Sequence, residues 1–227
     1  MFAHLRSGET RPATILMSDV SGFTALSSNA DPEWVFNLIN QVLSELVECL
    51  VGHGAHIDKY VGDEVVALFG VPVAQERSAE RALLAALVMQ ERIRALNDER
   101  RFGNVQLQIH TGINVGRVIV GPIGHGAHTD YTVIGESVNV AKRLEDAAPP
   151  GEIYISSEVR DAVGDGFIFE EVGHPARIFS DCRKRVIDFV GDSRGHLSDC
   201  RKLFVMQQLG ILFSCLPKQF LHAAHCD

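Results

Sequence analysis

Three features of this 227-residue chain predict an α+β fold, a ferredoxin-like βαββαβ antiparallel sheet with helices on one face and a further βαβ segment. Short apolar runs (ATILMS, EVVALF, RVIVG, EIYIS) are separated by two long stretches whose apolar residues recur at helical spacing. The run EVVALFG follows HIDKY across only Val61-Gly62-Asp63, which reads as a hairpin. From Val105 the period switches to two, with Val105, Leu107, Ile109, Ile113 and Val115 on one face.

Taken in order, residues 13–19 form a buried strand that ends in Asp19. Asp31-Pro32 supplies an N-cap and a first-turn proline. The helix it opens carries Val35, Leu38, Ile39, Val42, Leu43, Leu46 and Leu50 inward and stops at Gly52 and Gly54. After the hairpin, Ser78 opens a second helix to about Asn97, burying Ala82, Leu83, Ala86, Met89, Ile93 and Leu96. Gly116-Arg117 is expected to turn the period-two strand back into RVIVG. A glycine- and histidine-rich loop, GPIGHGAHTD, then leads into the strand YTVI. A third helix spans Glu136 to Ala147, ended by Pro149-Pro150-Gly151 ahead of EIYIS. The expected division is a lead-in over 1–10, a catalytic-type domain over 11–179 and a cysteine-containing tail over 180–227. That tail has poor periodicity and is expected to be dispensable for folding of the core. It holds Cys182, Cys200, Cys215 and Cys226 at spacings that match no zinc-ribbon pattern, and SDCRK occurs twice within it.

A formal charge of −8 and the lack of any basic run exclude a nucleic-acid binder that works by phosphate neutralisation. No uninterrupted apolar stretch reaches the roughly 20 residues of a membrane span. The N-terminus lacks an apolar signal-peptide region, so a cytoplasmic protein with no membrane partner is expected.

Three constellations carry chemistry. Asp19 ends the first strand and Asp63 sits in the hairpin turn, so neighbouring strands would bring two carboxylates to one edge; such a pair suits Mg²⁺ shared with phosphate oxygens. Gly22, Phe23 and Thr24 follow Val20 and Ser21 at the start of a short helix, whose N–H groups suit a polyphosphate. Taken alone, Asp19 serves equally as a helix cap and Asp63 as a turn residue. Asn139 and Arg143, four apart, project from one face of the third helix, where an amide and a guanidinium suit a ribose and a transferring phosphoryl group, or simply a solvated surface. Lys59 and Thr132 offer the donor and acceptor that adenine requires, although a surface lysine and a strand threonine would look the same.

MSDVSGFTALS, DKYVGDEVVALFG, HTGINVGRVIVG and DYTVIGESVNVAKRLE, in that order, resemble the class III nucleotidyl cyclase catalytic domain. The likeness covers about residues 11–172, and is nearest to the bacterial adenylate cyclases with Thr at the purine-amine position. The resemblance implies conversion of ATP to 3′,5′-cyclic AMP and pyrophosphate, a role in intracellular signalling, and a site shared across a homodimer. It implies two Mg²⁺ or Mn²⁺ ions on Asp19, Asp63 and the Val20 carbonyl, adenine read by Lys59 and Thr132, ribose placed by Asn139 and charge stabilised by Arg143. The late phosphate-contacting lysine of the family has only Lys184 as a counterpart, and His125 and His128 replace more charged residues. The VNVAKR helix separates the chain from diguanylate cyclases, and Lys59 with Thr132 from guanylate cyclases, which usually carry Glu and Cys there. The competing expectation is a catalytically weak nucleotide-binding module.

Overall fold

The computed structural model describes residues 8–28, 30–125, 128–164, 167, 169–171 and 184–186. The chain divides into two compact units, 1–188 and 189–227, and the second lies outside the described residues. In the first, β1 (Glu9–Val20), α1 (Phe23–Ser27), α2 (Pro32–Gly52), β2 (His56–Val61), β3 (Glu64–Phe69), α3 (Ser78–Asp98) and β4 (Ile109–His125) follow one another. β5 (His128–Ile134), α4 (Glu136–Ala147), β6 (Ile153–Ile155), α5 (Ser157–Val163), β7 (Phe169–Glu171) and β8 (Lys184–Val186) complete it. Omitting the short α1, the order β1-α2-β2-β3-α3-β4 is the expected βαββαβ unit. The strands pair as β2-β3-β1-β4-β6-β8-β7, with β5 hairpinned onto β4.

The sheet is covered on both faces, not one. Leu16, Val65, Ala67, Phe69, Ile109 and Ile113 pack with α2, α3 and Val159 of α5 in one core. Ile15, Met17, Val66, Leu68, Val118 and Val133 form a second core beneath Ala141 of α4. Burial on both sides explains why β3 is buried at all six positions and reads as a continuous apolar run.

α2 begins as expected, with the Asp31 carboxylate accepting from the backbone N–H of Glu33 and Trp34, each at 3.0 Å. By length and mean hydropathy it matches a membrane span. Its Leu38, Val42, Leu46 and Leu50 nevertheless lie in the core, and Arg92 of α3 donates to Glu45 at 2.7 Å, which makes it a core helix. α3 buries all six expected residues.

Several expectations are corrected. β4 runs unbroken through Gly116-Arg117, where a turn was expected, and Gly116 instead lies against Ser137 of α4 too closely for a side chain. Residues 121–125 and 128–130, expected in a loop leading into a strand, instead extend β4 and β5, with His125 paired to His128. The strand starts at Ile109 and not Val105, because Asn97 takes the ladder's place: its side chain bonds both the N–H and the C=O of Leu107. α5 had no periodic signal in a segment of only seven residues. β1 starts inside the expected lead-in, and β8 lies beyond the expected boundary at 179, paired with β6 and β7.

Candidate active site

Pairing of β1 with β3 (Ser18 opposite Val65) carries Asp19 and the β2–β3 turn that holds Asp63 to the same sheet edge. Burial and the charge of Asp63 raise the Asp19 carboxyl to about 6. Its Oδ1 is buried without a hydrogen-bond partner among the described residues. Two carboxylates in mutual repulsion, one with an orphaned oxygen, make an oxygen donor set that suits a hard divalent cation.

Around Asp19 the structure assembles groups the sequence did not reveal. His110 of β4 lies across from Asp19 in the ladder, with Nε2 3.9 Å from Asp19 Oδ2 and 2.8 Å from Glu145 Oε1. Its Nδ1 is 2.9 Å from Ser21 Oγ, so the imidazole ties the turn after β1 to α4. The Glu145 hydrogen bond raises the His110 pKa. Burial pushes Glu145 upward, but bonds from His110 and Lys142 outweigh it and hold the carboxyl below its ordinary value. Lys142 also bonds Glu64 at 3.2 Å and Asp146 at 3.1 Å, pinning α4 to the start of β3. The approach depends on Gly112, where a Cβ would collide with the backbone of Ala141 and Glu145.

The turn Ser21-Gly22 uses a positive φ of 76° at Gly22, and Ser21 N–H donates to Gln108 O at 2.8 Å. Phe23 is partly buried, with its ring packed against the core. Thr24 lies in the same short helix with its side chain outside the described residues.

Lys59 and Thr132, 73 positions apart, are brought together: Lys59 Nζ donates to Thr132 Oγ1 at 3.0 Å. Asp58, which sequence reading passed over, completes the group. Thr132 Oγ1 donates to Asp58 Oδ2 at 2.8 Å, and Lys59 Nζ lies 3.2 Å from the same oxygen. Strand alternation sends residues 58 and 59 to opposite faces. The ladder, however, slips between Ile57 and Lys59, so Asp58 is the extra residue of a bulge and both side chains reach Thr132.

Asn139 and Arg143 occupy the exposed side of α4, both turned to Glu136: Asn139 Nδ2 to Oε2 at 3.4 Å and Arg143 Nη1 to Oε1 at 3.6 Å. Glu145, which faces the Asp19 cluster, lies roughly 200° around the helix from Arg143. Within one chain, therefore, the Asn139–Arg143 face and the carboxylate edge are on different sides of α4. Lys184 is in β8, paired with Ile155 and Glu171, and its side chain lies outside the described residues.

Fold and site together define a class. The family described as "Adenylate and Guanylate cyclase catalytic domain" matches residues 5–178, and the chain belongs to it. Among curated relatives, an adenylate cyclase of Anabaena cylindrica is 35% identical over 144 residues, covering 61% of this chain and 28% of that protein. Adenylate cyclase 1 of Rhizobium meliloti is 33% identical over 141 residues, covering 62% of this chain and 21% of that one. The chain thus spans about a quarter of the length of these relatives. Among solved structures, the adenylyl cyclase CyaB from P. aeruginosa superposes with a TM-score of 0.75 at 34% identity, covering 80% of this chain and 96% of that one. The guanylyl cyclase Cya2 superposes with a TM-score of 0.72, also at 34% identity, covering 79% and 92%.

Proposed function

We propose that this domain is an adenylate cyclase that converts ATP to 3′,5′-cyclic AMP and pyrophosphate at a site shared by two copies of the chain, producing an intracellular signal. The observation that carries this reading is the contact of Lys59 with Thr132, which sets a donor for the adenine ring nitrogen beside an acceptor for the 6-amine. Asp19 and Asp63, with the Val20 carbonyl, would hold two Mg²⁺ or Mn²⁺ ions; these would supply the Lewis acidity that lowers the pKa of the ribose 3′-hydroxyl and offsets the triphosphate charge. The Asp19 oxygen without a hydrogen-bond partner fits that role.

The remaining work belongs to the chain's own groups. Backbone N–H groups of Gly22, Phe23 and Thr24 bind phosphate oxygens. His110, held by Glu145 and Ser21, fixes the orientation of the turn that follows Asp19. Asn139 of the second copy orients the ribose, and its Arg143 stabilises charge as the bond from the α-phosphorus to the bridging oxygen breaks and the 3′-oxygen attacks. The placement of Arg143 on the side of α4 away from its own carboxylate edge supports the shared arrangement. Tyr60, Val61, Ile119, Ile123 and Ile134 are exposed apolar residues on β2 and the β4–β5 arm, a surface suited to a second copy.

The test is incubation of the purified chain with Mn²⁺ and either ATP or GTP. Cyclic AMP formed faster than cyclic GMP is the expected result. Cyclic GMP as the main product would instead favour the guanylate cyclase reading, and nucleotide binding without product the inactive-module reading.

A further inference from the structure

The Lys59–Thr132 pair has a weakness as a selector of adenine. An ammonium donates to guanine O6 as readily as to adenine N1, and a free hydroxyl can either donate or accept. Discrimination therefore depends on which way the Thr132 hydroxyl points.

Asp58 decides this. Lys59 has only donors, so the 3.0 Å contact occupies one lone pair of Thr132 Oγ1. The hydroxyl hydrogen goes to Asp58 Oδ2 at 2.8 Å, since an ionised carboxylate only accepts. One lone pair of Oγ1 is left, and it can accept from the 6-amine of adenine but offers nothing to the 6-oxygen of guanine. The Asp58 side chain is 1% exposed, which shields this bond from competing water, and its Oδ1 makes no hydrogen bond among the described residues. The bulge at Asp58 supplies the geometry by turning two successive side chains to one threonine.

We propose that Asp58 is a positioning residue that sets base specificity by locking the Thr132 hydroxyl as an acceptor. The proposal rests on the adenylate cyclase reading and deepens it. Asp58 itself touches no substrate; it acts through Thr132.

The experiment compares wild type, Asp58→Ala and Asp58→Asn, with Asp58→Ala also made in a Thr132→Val background. The near-isosteric Asp58→Leu substitutes for Ala if thermal melting shows that the Ala variant does not fold. Two readouts are taken for ATP and GTP: kcat/KM with Mn²⁺, and competition against a ribose-labelled fluorescent nucleotide. The ATP-to-GTP ratio is expected to fall by about tenfold in Asp58→Ala. It is expected to be largely kept in Asp58→Asn, because two donors converge on one position and the amide oxygen must take it. In Thr132→Val, loss of Asp58 should have no further effect on the ratio. An unchanged ratio in folded Asp58→Ala or Asp58→Leu, or an equal drop without the Thr132 hydroxyl, overturns the proposal. A wild type that cyclises no ATP overturns the cyclase reading, while the competition assay still reads base preference and its dependence on Asp58. A wild type that binds and turns over ATP and GTP alike overturns the Asp58 proposal and leaves a cyclase standing.

Discussion

Because burial and Asp63 raise Asp19 to about 6, the folded chain holds this proton more tightly than an unfolded chain, whose carboxyl titrates near 3.8. The group therefore works against stability as pH rises through that window. In the proposed site a divalent cation would take the proton's place, so Mn²⁺ should raise Tm more well above that window than below it. Asp19→Asn and Asp63→Asn should each remove most of this gain and lower cyclic nucleotide formation by at least about a hundredfold, with circular dichroism unchanged. Thermal melts with and without Mn²⁺ at several pH values check the first statement, and the product assay checks the second. At the base site, Lys59→Glu replaces a donor with an acceptor and leaves the adenine ring nitrogen unpaired. A drop in kcat/KM for ATP of about tenfold or more is expected, read against GTP in the same preparation.

At the scale of elements, the site depends on how closely α4 lies on β4. Gly112 and Gly116 are both required by contact with the helix, not by an unusual φ, and the Lys142–Glu64–Glu145–Asp146 group anchors the same helix to β3. Gly112→Ala would force α4 away from the strand. Overpacking of this kind costs about 1–3 kcal/mol, and displacement of Glu145 should loosen His110 and the turn after Asp19. Urea denaturation should show the loss of stability, and turnover should fall further than an equally destabilising substitution in α3, such as Ile93→Val, lowers it. The elements that were legible in the sequence are those with local signals. The Asp31-Pro32 cap, the apolar spacing of α2 and α3, and the Gly62-Asp63 turn each specify their neighbours directly. Gly116 misled because glycine serves both tight turns and close contacts, and no local pattern separates the two.

At the scale of the whole molecule, a shared site makes a distinctive prediction. Asp19→Ala and Arg143→Ala homodimers each damage both sites. A mixed dimer concentrates both lesions in one site and leaves the other intact. With random assortment, about a quarter of wild-type activity should return on mixing the two chains. No recovery, with mixed dimers demonstrated by differential tagging, would place the complete site within one chain.

The sequence by itself determined the βαββαβ order, the starts of α2, α3 and α4, and the set of polar residues from which a cyclase site can be built. These depend on local periodicity, caps and motif strings, which act over a few residues of chain. Only the tertiary structure decided that Asp58 joins Lys59 and Thr132, that His110 and Glu145 brace Asp19, and that Arg143 lies on the far side of α4 from its own carboxylates. A bulge inverts the alternation that would have separated Asp58 from Lys59, and the other contacts join residues dozens of positions apart. Their energies depend on which strands pair and how closely a helix can approach, and that information is carried by the packing of the whole sheet.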